Sequence, residues 1–270
     1  MSKKHYFILL LGGLVLFSCD RNEIEEIPIT ECNCFIETAT DAYTYPVRPG
    51  SDDWNAFISS DQMAEAVQVP FSILDTMSTI GVFETCAENP LGIELYIANS
   101  PQSFFDFSLD KFNAYKELMS RNDVASELIN RYSMMCVDCE ENNYSSFSGK
   151  GGDVEYAFVS IELLLAQNAV LSKASKSQCV FLGQLITNVY KKNIINNQSA
   201  FFKRSQVWIA SRIMDKYNYA GFNELESKNE QISIFNETGS SIIKVDSHYT
   251  AENIYQDIME QFKSFLNIEL

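Results

Sequence analysis

The chain has 270 residues, 46% hydrophobic and 21% charged, with a formal net charge of −16. This suits one medium globular unit or two small ones, and 19 Phe, 13 Tyr and 2 Trp are too many for a chain disordered throughout. An excess of 36 acidic over 20 basic side chains argues against nucleic-acid binding by phosphate neutralisation, and only two histidines, His5 and His248, restrict metal and triad chemistry.

Residues 1–18 read as a signal peptide. Lys3 and Lys4 precede the apolar run Tyr6 to Phe17, which is shorter than the roughly 20 residues of a membrane-spanning helix. Leu16-Phe17-Ser18-Cys19 follows, and it resembles the lipobox of bacterial lipoproteins, with Phe17 where a smaller residue is usual. The resemblance implies that the Cys19 thiol receives a diacylglyceryl group, that the chain is cut before Cys19, and that the new amino terminus is open to acylation by a fatty acid such as palmitate. Two or more acyl chains hold a protein stably on a membrane, where one holds it marginally. Loss of residues 1–18, which carry Lys3 and Lys4 and no acid, leaves 252 residues at a net charge of −18.

Asp20, Glu23, Glu25, Glu26 and Glu31 come next, against Arg21 alone. This stretch resembles the acidic post-cysteine signals of surface-exported lipoproteins in Bacteroidota, which favours the outer membrane or cell surface over the inner membrane. It also suits a solvated tether repelled by an anionic membrane surface. The chain accordingly divides into a signal peptide (1–18), a lipidated acidic tether (19–42), an N-terminal helical part (43–139), a flexible loop (140–152) and a C-terminal helical part (153–270), with the two helical parts packed as one unit.

Six cysteines remain after Cys19. In an exported chain Cys32, Cys34, Cys136 and Cys139 read first as disulfide formers, while Cys86 and Cys179 lie in apolar helical patterns and read as buried thiols. A four-thiolate zinc site from Cys32-x-Cys34 and Cys136-x-x-Cys139 is an alternative. Redox work by Cys136-x-x-Cys139 is another, disfavoured because the motif ends a helix and runs into Glu140-Glu141.

From Tyr43 onward the pattern is helix after helix. Ser51 caps a short helix with Trp54, Phe57 and Ile58 on one face. Ser59-x-x-Gln62 fits a capping box ahead of Met63, Ala66 and Val67, and Pro70 opens a helix carrying Phe71 and Leu74. Ser78 caps a helix burying Ile80, Phe83 and Cys86, which stops at Asn89-Pro90. Ile93, Leu95 and Ile97 alternate without deciding between strand and helix. Phe105, Leu109, Phe112, Tyr115 and Met119 form one long pattern, and Val124, Leu128, Tyr132 and Met135 a second. Val154 to Leu171 reads as a central buried helix. Ser175-x-x-Gln178 is another capping box, followed by Leu182, Leu185, Ile186 and Val189. Phe202, Ile209, Ile213 and Tyr217 lead to Gly221 as a C-terminal cap. Ile232, Ile234, Ile243 and Val245 around Asn236-Glu237-Thr238-Gly239 suggest a small β-hairpin near 231–246 or a mobile loop. Thr250 caps a last helix bearing Ile254, Ile258, Phe262, Phe265 and Leu266. The expected fold is all-α or mostly α, an irregular multi-helix bundle or stack.

The run from Tyr43 to Trp54, with Tyr45-Pro46-Val47-Arg48-Pro49-Gly50-Ser51-Asp52-Asp53-Trp54, resembles the opening of an uncharacterised family of secreted bacterial proteins with a Tyr-Pro-x-x-Pro-Gly-x-x-x-Trp start. The likeness extends over about Tyr43 to Tyr132, through Val69 to Thr79 and Phe112 to Leu118. It implies export and helical structure and brings no activity with it.

Little in the sequence points to catalysis. His248 lies in the polar run Asp246-Ser247-His248-Tyr249, the setting of a solvated loop histidine. Gly149-Lys150-Gly151-Gly152 lacks the spacing of a phosphate-binding loop, Asn122-Asp123 and Ser51-Asp52-Asp53 lack that of a calcium loop, and no cofactor motif is evident. Paired carboxylates leave no local signature; Asp153, Glu155 and Glu162 flank or interrupt an apolar helix, where an acid is expected at the end, on a wet side, or beside a Lys or Arg. Phe104, Phe105, Phe107, Phe112 and Tyr115 read as core packing ahead of a ligand platform. The expected partners are the membrane, through the lipid anchor, and an envelope protein or glycan. A deep pocket converging two acids would favour an envelope hydrolase, and an exposed apolar or aromatic patch a non-catalytic binder.

Overall fold

The computed structural model describes residues 33–34, 36–92, 98–137, 154–241 and 249–269, with the backbone alone at 154–156 and 268–269. Five serines start five of its helices. Ser51, Ser59, Ser78, Ser100 and Ser175 each accept the backbone N–H three residues on, satisfying a donor that the first helical turn leaves without a partner. They open α1 (Asp52–Asn55), α2 (Ser60–Ala66), α4 (Thr79–Ala87), α5 (Pro101–Lys111) and α10 (Lys176–Ile195), while Pro70 precedes α3 (Phe71–Leu74). The capping box at Ser175 and Gln178 is complete. At Ser59 the Gln62 side chain instead accepts from the Ile58 N–H.

The remaining helices are α6 (Asn113–Ser120), α7 (Val124–Met134), α8 (Val154–Leu165), α9 (Asn168–Leu171), α11 (Ala200–Lys216), α12 (Ala220–Lys228), α13 (Glu230–Thr238) and α14 (Ala251–Glu269). The protein is an all-α fold with no named strand among the described residues. One hydrophobic core runs from Tyr45 to Leu266. Helices on the two sides of residues 140–152 share it, with α8 packed on α4, α5 and α7, and α10 packed on α7. At its centre α11 lies against α8, α10 and α14, and its Trp208 is fully buried, donating its indole N–H to the Asn236 carbonyl at 2.9 Å.

The structure corrects several expectations. The long pattern from Phe105 to Met119 is two helices, because Phe112 is extended and Asn113 is bound sideways. The Asn113 amide donates to the Val69 carbonyl at 2.6 Å and accepts the Val69 N–H at 3.0 Å, while Gln68 accepts the Asn113 N–H. Val154 to Leu171 also breaks in two, at an extended Gln167 whose amide donates to the Leu163 carbonyl.

The hairpin expected near 231–246 is replaced over Glu230–Thr238 by α13. Asn229 caps it, Ile232 and Phe235 supply the i, i+3 spacing of a buried helical face, and Gly239 ends it in the left-handed region at φ 67°. Gly239 also packs on the Trp208 ring, where a Cβ would stand 2.8 Å from a ring carbon. Gly221 does not end α11, since it lies inside α12. The left-handed position is Asn218 at φ 50°, whose N–H donates to Asp215 while that of Tyr219 donates to Met214, the paired bonds of a Schellman end. Ile58 and Phe71 are exposed, 89% and 72%.

The body begins before Tyr43. The Asn33 N–H donates to the Met134 carbonyl at 2.8 Å, and residues 36–45 are fastened to α4 and α7. Met1–Ser18, Cys19, Ile93, Leu95, Ile97, Glu140–Gly152, Ile243, Val245 and His248 lie outside the described residues.

Candidate functional site

Among the described residues two carboxylates, Glu84 and Glu162, are buried in the core, and they are held in opposite ways. Glu84 on α4 faces Arg131 on α7 at 2.6 Å, with side chains only 0% and 5% exposed. Its other oxygen accepts the Ala39 N–H at 2.7 Å, and Arg131 also donates to the Glu37 carbonyl at 3.1 Å. The pair therefore clamps the extended segment. Thr85 extends the clamp by accepting the Tyr43 N–H, and the Thr85 carbonyl accepts the Tyr45 hydroxyl. Asp41 completes it at the start of α4, where it accepts from the Ser78 N–H and hydroxyl. Gly81 allows that approach, because a Cβ there would collide with the Asp41 carboxylate.

The second carboxylate, Glu162 on α8, is fully buried, and its hydrogen-bond donors are all neutral side chains. Tyr132 donates its hydroxyl at 2.6 Å, Ser205 donates its hydroxyl, and the Gln206 amide spans both oxygens at 2.7 and 2.6 Å. Gln206 is itself backed by the Asn193 amide. Burial pushes the Glu162 carboxyl up from 4.5 to about 7, against the lowering effect of these donors. Burial and the adjacent Glu162 push the Tyr132 hydroxyl up as well. The expectation of a helix end, a wet side or a neighbouring cation is thus not met at Glu162. Adjacent residues of α7, Arg131 and Tyr132, serve the two carboxylates.

Both carboxylates are taken up by protein donors, so neither offers a free oxygen to a substrate. A crevice among α4, α5, α6 and α8 is lined by Phe83, Cys86, Phe104, Tyr115, Ser160 and Leu163, and no acid is among its lining residues. Phe104, Phe105, Phe112 and Tyr115 are buried as core packing, whereas Phe107 is exposed.

Of the residues singled out from sequence, Cys34 and Cys136 are disulfide-bonded, each next to a residue of the isolated parallel bridge between Asn33 and Met135. A sulfur in a disulfide has no thiolate for zinc, which removes these two as ligands. Cys19, Cys32, Cys139 and Asp153, and the side chain of Glu155, lie outside the described residues. Cys86 and Cys179 are free and buried, and burial pushes the Cys86 thiol well up, leaving it unreactive. No described group of three or more His, Cys, Asp or Glu is arranged to hold a metal ion, and no described helix is long and apolar enough to cross a membrane.

Sequence reasoning passed over Glu84, Arg131, Ser205 and Gln206. It also passed over the exposure of Ile58, Phe71 and Ile73 in the stretch that holds the first three short helices. In comparisons with known proteins, no family model, curated protein or solved structure matches the chain.

Proposed function

We propose that the chain is a membrane-anchored lipoprotein of the bacterial cell envelope that acts as a non-catalytic binding or assembly protein. The observation that carries the reading is the order Lys3-Lys4, apolar Tyr6 to Phe17, then Leu16-Phe17-Ser18-Cys19, followed by an acidic stretch. Diacylglyceryl transfer to Cys19 supplies the hydrophobic hold on the bilayer, and residues between Cys19 and the body set its distance from the membrane.

The burial of Glu84 and Glu162, each engaged by protein donors, supports a binding role over hydrolysis. A carboxylate pair for hydrolysis needs one acid and one base open to the scissile bond, whereas these two are buried and engaged by side-chain and backbone donors. Exposed aliphatic and aromatic side chains at Ile58 and Phe71 support it further. Fractionation of host cells expressing wild-type and Cys19→Ala chains tests the anchor. The wild type is expected in the membrane fraction and the variant outside it; retention of the variant on the membrane would overturn the lipid anchor.

A further inference from the structure

α10 ends in two isoleucines that folding leaves in water. Ile194 and Ile195 are 52% and 79% exposed, and they are the last two residues of a 20-residue helix. Lys191 stands one turn earlier, at the i, i+3 and i+4 spacing that puts these side chains on one face of a helix. The face continues back through Asn188 and Gln184, exposed like Lys191, so the isoleucines close a solvent-facing stripe.

The charge around this tip runs against that of the chain. From Leu163 to Met214 the sequence holds seven Lys and Arg and no acid, although acids outnumber bases 36 to 20 overall. α11 starts beside the tip, because the Asn193 amide donates to the Phe202 carbonyl at 3.5 Å and to Gln206 at 3.3 Å. Arg204 of α11 lies over the Phe201 ring at 4.7 Å and pairs with no described carboxylate, while Lys203 is taken by Glu252 of α14 at 2.7 Å. Lys191 is exposed and likewise pairs with no described carboxylate.

The tip lies towards the end of the molecule where the chain from Cys19 enters. α7 and α10 start side by side. The Lys173 ammonium, just ahead of α10, donates to the Met119 and Arg121 carbonyls, just ahead of α7, at 2.6 and 2.9 Å. The two helices are tied again further on, where Tyr132 of α7 and Gln206 both donate to Glu162, and Asn193 of α10 donates to Gln206. They therefore run the same way. Asn33 joins α7 at its last residue, Met134, and Ile194 follows Asn193 directly. From Cys19 to Asn33 is fourteen residues, an extended reach of at most about 50 Å, which exceeds the roughly 30 Å length of α10.

We infer that the α10 tip, Lys191 with Ile194 and Ile195, is a second membrane contact that seats the anchored protein on an anionic phospholipid bilayer. Its aliphatic side chains enter the headgroup boundary while Lys191 and Arg204 meet lipid phosphates. Two isoleucines give too little area for a stable protein partner. They suffice at a bilayer, because an anchor already in the membrane makes the second contact intramolecular, and two weak signals hold where one is marginal. Screening within about 8 Å at physiological salt limits what acids farther from the tip do to the contact. Which end faces the membrane rests on the lipid-anchor reading above.

The test holds the tether without native lipid. Residues 19–270 with Cys19→Ala carry an amino-terminal hexahistidine tag and bind nickel-chelating lipid in phosphatidylcholine vesicles, with or without phosphatidylglycerol. A polarity-sensitive fluorophore is placed at Asn196→Cys in the tip or at Ser227→Cys on α12, both exposed positions. With phosphatidylglycerol present, a lipid-borne quencher is expected to act about threefold or more strongly on the tip probe than on the α12 probe. Ile194→Ser/Ile195→Ser is expected to weaken tip contact about tenfold, with circular dichroism unchanged because both side chains are exposed. Lys191→Glu is expected to weaken it and to reduce its dependence on salt and on phosphatidylglycerol.

Equal quenching at both positions, no quenching at the tip, or quenching untouched by the Ile and Lys changes would overturn the inference. So would capture of a polyglutamate peptide by the tip in place of the vesicle, which would assign it to an acidic polypeptide. The tag replaces the lipid, so these results do not depend on Cys19. A tip that fails here while Cys19→Ala leaves the membrane in host cells removes the contact and keeps the lipoprotein. A tip that passes while Cys19 proves unmodified keeps the contact and removes the anchor.

Discussion

Replacing Glu162 by Gln tests the energetics of the core directly. Burial pushes the carboxyl from an ordinary 4.5 up to about 7 in the folded protein, outweighing the lowering effect of its neutral donors. Between those values the folded state keeps a proton that the unfolded chain has released. Stability from this group is therefore fully present below pH 4.5, falls as pH rises, and is lost by about pH 7. The gap corresponds to about 3 kcal/mol. Glutamine has nearly the same shape and no charge, and the Tyr132 and Ser205 hydroxyls can turn to accept from its amide. Glu84 and Glu226 are raised by burial too, but they are present in both proteins and cancel in the comparison. Urea unfolding of wild type and Glu162→Gln from pH 4.5 to 8, with disulfides intact, measures the difference. The variant is expected to gain about 3 kcal/mol relative to wild type across that range. Parallel curves would refute the raised carboxyl and the enclosed cluster behind it.

The clamp and the α10–α14 contact give two further predictions. Arg131→Met leaves Glu84 buried without its cation and is expected to cost about 3–5 kcal/mol. It should also speed hydrogen exchange at the Ala39 and Tyr43 amides, whereas unchanged exchange at both would show that the ion pair does not hold the segment. Gly183→Ala places a methyl 2.8 Å from Phe262 and 2.9 Å from Leu266, so thermal melts should show a loss of about 1–3 kcal/mol. A neutral result would mean that α10 and α14 separate easily.

What could be read from sequence was local. Serine caps act on an N–H three residues away, so Ser51, Ser78 and Ser175 were visible in short windows. The long helices announced their buried faces by period. Breaks inside them did not, because the causes are distant: Asn113 is turned by Val69, 44 residues back. The hairpin expectation followed the alternation of Ile232 and Ile234, while the buried face is set by Ile232 and Phe235 three apart. Exposure at Phe71 was illegible because a four-residue helix is too short to show which side is wet.

The buried carboxylates were harder still. An acid in an apolar helix is expected at its end, on a wet side or beside a Lys or Arg, whereas the partners of Glu162, Tyr132, Ser205 and Gln206, lie 30, 43 and 44 residues away. Glu84 and Arg131 are 47 apart, and no periodicity links them. In both clusters the carboxylate oxygens accept protein donors from other parts of the chain, which ties those parts together.

The anchor is the central claim, and the mature amino terminus tests it most directly. Mass spectrometry of the tryptic N-terminal fragment from the membrane fraction is expected to give Cys19-Asp20-Arg21 with a diacylglyceryl thioether on Cys19. An unmodified Cys19, or a chain beginning at another residue, would contradict the account.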